Sequence, residues 1–134
     1  MGKIKLNPTD TVFSQCIRER ANWTCERCGK VYTPPTRALH CSHFHSRGKW
    51  GTRFDPDNCE ALCYGCHSHM GGNPALHRER ILEKLGEELY QILQEKSQST
   101  ELGRMAKRQE KEIRKHYRKQ LDVIKNGGEL VGYF

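Results

Sequence analysis

Residues 23–69 read WTCERCGKVYTPPTRALHCSHFHSRGKWGTRFDPDNCEALCYGCHSH, and two Cys-x-x-Cys pairs, Cys25/Cys28 and Cys63/Cys66, frame the stretch. A tetrahedral zinc ion needs four soft ligands, and each x-x spacing lets one tight turn supply two of them, so the four thiols predict a structural Zn²⁺ site. A site closed by four thiolates has no need of histidine. Yet His40, His43 and His45 lie between the pairs and His67 follows the second one directly. These imidazoles call for a separate role.

The totals restrict that role. The chain has 134 residues, enough for one small domain, and the 23–69 stretch is too short to bury a self-sufficient core without a metal staple. We read 1–96 as the zinc-braced unit with its flanking helices and 97–134 as a basic helical extension. Seven cysteines, with neither a signal peptide nor a long apolar run, fit a reducing, cytoplasmic compartment better than a disulfide scaffold. On that reading Cys16, Cys41 and Cys59 are free buried thiols. The net charge of +7 favours a polyanionic partner, with DNA foremost, and no basic amphipathic segment carries the aromatic residues of a membrane anchor.

Taken in order, Met1 to Leu6 reads as a tail, and Asn7-Pro8 starts a helix over 8–20 with Val12, Phe13, Cys16 and Ile17 on one face. Arg18 and Arg20 are expected in solvent or against phosphate. Gly29 supplies the left-handed residue of a zinc knuckle, and Pro34-Pro35 excludes a helix. Leu39 to His45 reads as a strand, and Gly48 and Gly51 mark a hairpin tip. Residues 53–58 return the chain, and Asp57 or Asn58 caps a helix carrying Leu62, Cys63, Cys66 and His67. The outcome is strand, strand, helix in an α+β fold. Asn73-Pro74 opens further helices, with Leu76, Ile81, Leu82, Leu85, Leu89, Ile92 and Leu93 as their apolar stripe and Gly86 as a break.

From Glu101 to Lys125 there is no proline, and a long helix is expected there. Nine of the 23 basic residues lie in that segment, against four acids. Met105, Ile113, Tyr117, Leu121 and Ile124 form an apolar seam. Arg104, Arg108, Lys111, Lys115 and Arg118 form a basic one, which is either a solvated face or a track for DNA phosphates. The apolar seam is free to dock on the core or on a second copy in a homodimer.

A neutral imidazole takes a proton from water near pH 7, and a second one holds a divalent cation against a phosphate, a pairing that hydrolyses phosphodiesters. The order strand histidine, loop, Asn58, then Cys-x-x-Cys-His67 resembles the HNH nucleases and their ββα-metal hairpin. Arg20, Cys25-x-x-Cys28-Gly29, His40-x-x-His43-Phe44, Arg53-Phe54, Asp57-Asn58, Cys63-x-x-Cys66 and Gly72-Asn73 together resemble NinG, also called Rap, a family of phage recombination endonucleases. That resemblance implies His43 as general base, Asn58 as the residue steadying the hairpin and His67 as the helix ligand of a catalytic Mg²⁺ or Mn²⁺. It also implies branched DNA as substrate and 5′-phosphate products. Many HNH sites place Asp or His just before the base, whereas this chain has Ser42. His40, on the same strand face as Ser42, is the first candidate to replace that ligand, and His45 is the other.

Arg53 is expected to clamp a phosphate or to pair with Asp55 or Asp57, and Arg108, Lys111, Lys115 and Arg118 are expected to line the DNA path. His69 and His77 read as surface residues. A DNA-binding zinc ribbon without catalysis is the alternative. An RNA-binding zinc module is disfavoured by the few aromatics, Phe44, Trp50 and Phe54, available for stacking on bases.

Overall fold

A computed structural model describes residues 5–134 and shows an α+β chain of seven helices and one two-stranded sheet. Helix α1, Pro8–Arg20, begins with a reciprocal cap: the Asn7 side chain accepts from the Asp10 amide, and the Asp10 carboxylate accepts from the Asn7 amide. Val12, Phe13, Cys16 and Ile17 point inward as expected. The expected tail over Met1 to Leu6 falls outside the described residues for its first four positions.

Strand β1, Leu39–His43, pairs antiparallel with β2, Cys59–Cys63, with His43 opposite Cys59 and Leu39 opposite Cys63. Helix α3, Tyr64–Gly71, follows at once, so the order strand, strand, helix holds while its boundaries move. Leu62 and Cys63 were expected on the helix and lie on β2 instead. The physical reason is that β2 is buried on both faces, so it shows no polar alternation to read. Even Glu60 is wholly buried, held by Arg80 at 2.7 Å.

The loop between the strands is not a simple hairpin tip. It contains a short helix α2, Trp50–Arg53, and one 3-10 turn at Pro56–Asn58. Gly51 is needed here because a Cβ would collide with the backbone carbonyl of Lys96, while a Cβ at Gly103 would make only an ordinary contact with Trp50 at 3.6 Å. Gly51 thus seats α2 against the junction of α5, Glu87–Gln98, and α6, Thr100–Arg108.

Helix α4, Pro74–Leu85, is separated from α5 by Gly86 at φ +82°, as the sequence suggests. Their apolar stripe is narrower than expected. Ile81 and Leu93 are buried with Tyr90 against Phe44, whereas Leu76, Leu82, Leu89 and Ile92 remain exposed. The expected long helix over 101–125 is broken at Gln109 into α6 and α7, Glu110–Lys125. Helix α7 packs along α1: Tyr117 meets Phe13 edge-on at 4.9 Å, and Ile113 and Tyr117 enter the same core as Phe13, Phe54 and Leu62. The chain after Gly128 forms neither helix nor strand, with the Val131 amide donating to Gln120 and the Tyr133 amide to the Tyr117 hydroxyl.

Two arginines expected at the surface or on phosphate are structural instead. Arg20 donates to the carbonyls of Pro56 and Cys59 and ties the 3-10 turn to α1. Arg53 is only 3 % exposed and makes a two-pronged pair with Asp10, at 3.0 and 2.6 Å, rather than with Asp55 or Asp57. It also donates to the Lys5 carbonyl and lies 4.4 Å from the Trp50 ring. A buried carboxylate stripped of such a partner costs about 3–5 kcal/mol. Arg53→Ala is therefore expected to lower unfolding stability by that order in a denaturant titration, and Arg53→Ala with Asp10→Asn to recover part of the loss. Equal midpoints for Arg53→Ala and the parent would show the pair to be inert.

Candidate metal centre and the adjoining histidine cleft

The four framework cysteines meet in space. Cys25 and Cys28 come from the turn after α1, Cys63 ends β2 and Cys66 begins α3; one ligand atom of each lies within 4.8 Å of the others, with the Cys28 and Cys63 sulfurs 3.8 Å apart. The knuckle forms because Gly29 adopts φ +80° and donates its amide to the Cys25 carbonyl. Burial opposes ionisation of Cys25, but backbone N–H groups of Cys28, Cys63 and Arg27 outweigh it and bring its pKa down to about 6. Burial holds Cys66 up at about 11, although Arg27 donates to its sulfur from 3.4 Å. Four convergent sulfurs with amide and guanidinium donors around them fit a tetrahedral structural ion such as zinc.

Beside this centre the histidines fall into a pattern. His40 on β1 and His67 on α3 face each other with their Nδ1 atoms 2.9 Å apart. Two nitrogens bound to one ion at about 2.1 Å and near right angles would lie about 3 Å apart, so the pair fits adjacent positions on a single cation. Imidazole suits borderline cations such as Zn²⁺ better than Mg²⁺ or Mn²⁺, which prefer carboxylate and carbonyl oxygens. Burial first, and then the charge of His40, lower the His67 pKa and so favour its neutral ring. Ser42 is buried and its Oγ has no hydrogen-bond partner among the described residues.

His43 is held differently. Its Nε2 lies 3.0 Å from the Arg53 carbonyl, and since a carbonyl only accepts, Nε2 carries the proton and Nδ1 carries the lone pair. That carbonyl is fixed by α2, which Asn58 secures in turn. The Asn58 side chain accepts from the His45 amide and donates to the carbonyls of His45 and Thr52, all within 3.1 Å, and the residue is wholly buried. His43 and His67 line a shared cavity of about 250 Å³ with Leu6, Cys41, Ser46 and Arg47, and a second of about 220 Å³ with Phe44 and His77.

The sequence reading missed several neighbours. His77, expected at the surface, is buried and borders the His43 cavity, with burial lowering its pKa. His45 packs against Phe44 at 4.7 Å with its Nε2 buried and without a hydrogen-bond partner among the described residues, and burial lowers its pKa as well. A larger cleft of about 490 Å³ joins His40 and His67 to Arg18, Arg37 and Arg47, and the Nε atoms of Arg18 and Arg47 have no hydrogen-bond partner among the described residues. Only the fold signals this, because the three arginines come from separate loops and helices. Arg104, Arg108, Lys111, Lys115 and Arg118 are exposed, as expected, but the break at Gln109 divides them between two helices. No helix among the described residues is long and apolar enough to cross a membrane.

A family profile described as bacteriophage lambda NinG protein matches residues 6–128. No curated protein and no solved structure matches the chain.

Proposed function

We propose that this chain, which belongs to the bacteriophage lambda NinG family, is a zinc-braced, cation-dependent DNA endonuclease of the HNH type with a preference for branched DNA. The observation that carries the reading is the hold on His43. Pinning Nε2–H to the Arg53 carbonyl leaves Nδ1 as the nitrogen able to accept a proton, and the residue lines a cavity shared with His67, which suits a general base. Asn58 keeps the pinning carbonyl in place from behind.

In this mechanism the Nδ1 of His43 accepts the proton of a water that attacks phosphorus in line, while Arg18, Arg37 and Arg47 receive the phosphates of the strand along the cleft. When bound, a divalent cation held by His67 and His40 would offset charge on the phosphate and on the departing 3′ oxygen. Arg53 takes no part through its side chain, which is spent on Asp10.

Incubation of supercoiled plasmid with the pure protein and Mn²⁺, Mg²⁺ or Zn²⁺, with and without chelator, tests the reading. Cation-dependent nicking is expected. Binding without nicking under every cation would favour the non-catalytic zinc module, and among the described residues no third His, Cys, Asp or Glu joins His40 and His67 in a ligand group.

The exposed bases of α6 and α7 are proposed to carry duplex phosphates without reading sequence. Changing Arg108, Lys111, Lys115 and Arg118 together to Gln is expected to weaken every DNA tested and to reduce the log-log salt slope by about two to four. Helicity should persist, since Gln forms helices well and none of the four is buried. An unchanged slope would move the DNA path to the arginine cleft alone.

A further inference from the structure

The hairpin gathers a set of donors that the mechanism uses only in part. Cys41 and His43 share one face of β1, and Cys59, opposite His43 in register, shares that face on β2. One ligand atom of each lies within 4.8 Å of the other two, the closeness also met by the four framework cysteines. Cys41 is 5 % exposed and Cys59 1 %. The Nδ1 of His43 is buried with no hydrogen-bond partner among the described residues, and Nε2 is committed to the Arg53 carbonyl, so Nδ1 is the nitrogen able to ligate.

We propose that Cys41, His43 and Cys59 form a second metal site, selective for thiophilic ions such as Zn²⁺, Cd²⁺ or Co²⁺, whose occupancy excludes His43 from acting as base. Two thiolates and an imidazole with the fourth position open are a zinc ligand set of the non-structural kind, and the cavity lined by Cys41, His43, Arg47 and His67 has room for water at the open position. Magnesium is rejected because it avoids sulfur. Binding forms two metal–sulfur bonds and one metal–nitrogen bond, the two thiol protons leave to solvent, and no electron moves. The site stands on its own geometry. Its inhibitory consequence rests on the reading of His43 as base, and it predicts an enzyme that harder cations support and excess thiophilic ion silences.

The test adds Co²⁺ to zinc-loaded protein under a non-chelating reductant, with zinc content followed in the same sample so that exchange into the four-cysteine site is recognised. Tetrahedral visible bands with thiolate-to-cobalt charge transfer are expected at one further ion per chain, with the original zinc retained. Cys41→Ala and Cys59→Ala, made separately so that either suffices if the other misfolds, should each weaken this binding by at least about tenfold while keeping the structural zinc. Charge transfer that appears only as zinc is displaced, or equal cobalt affinity in both variants, overturns the site. In cleavage supported by Mn²⁺, excess Zn²⁺ should silence the parent and spare Cys59→Ala. Cobalt bound at the site with cleavage undiminished would uphold the site and overturn the role of His43 as base.

Discussion

His43→Ala is expected to reduce DNA cleavage by about a hundred- to ten-thousand-fold, the range spanned by a positioned general base, while DNA affinity and structural zinc stay at parental levels. The separation follows from where the residue acts. His43 commits one nitrogen to a backbone carbonyl and has no hydrogen-bond partner among the described residues for the other, so in the proposed mechanism the ring moves a proton and does not hold phosphate. A loss confined to turnover, with the salt dependence of binding intact, is the signature of a group used only in the transition state. Equal single-turnover rates for variant and parent would remove His43 from the mechanism and return attention to His40 and His45.

The second large effect is expected from the four-cysteine centre. Prolonged chelation, or Cys63→Ser, should unfold the segment from the knuckle through α3, because a structural zinc contributes on the order of 10 kcal/mol to a small domain, as much as the whole stability of most domains. The Cys25–Gly29 turn reaches β2 chiefly through Glu26, whose amide donates to the Ala61 carbonyl and whose carboxylate accepts from the Ala61 amide. The contact of α1 with α7 does not pass through the four framework cysteines, so residual helical signal is expected beside the loss. Full zinc content and a normal melting curve in Cys63→Ser would rule out the four-cysteine assignment.

The sequence disclosed whatever repeats, caps or ligates. The start of α1 was legible from Asn7-Pro8, the knuckle from Cys-x-x-Cys-Gly, and the α4–α5 break from Gly86, since each is a local rule written in adjacent residues. What it hid depends on burial from two sides or on pairing across distance. The strand β2 looked helical because neither of its faces meets water, and Arg53 looked like a phosphate clamp because its partner, Asp10, lies far back in the chain. The convergence of Arg18, Arg37 and Arg47 on the histidine pair, and of Cys59 on Cys41 and His43, arises only once the hairpin closes. The stripe on α4 and α5 was overcounted because leucines at helical spacing do not reveal how much surface lies opposite to receive them.

The grip on His43 has one property that side chains lack: a backbone carbonyl has no letter of its own. Any amino acid at position 53 brings the same oxygen, so a substitution there removes the pair with Asp10 and keeps the acceptor of the His43 Nε2–H, and a comparison of letters does not register the contact. The vulnerability lies in chain length. An insertion or deletion of one residue between Ser46 and Phe54 would re-aim that oxygen while leaving every recognisable motif in place, and a relative carrying such a change would keep the lettering of the site without the use of it.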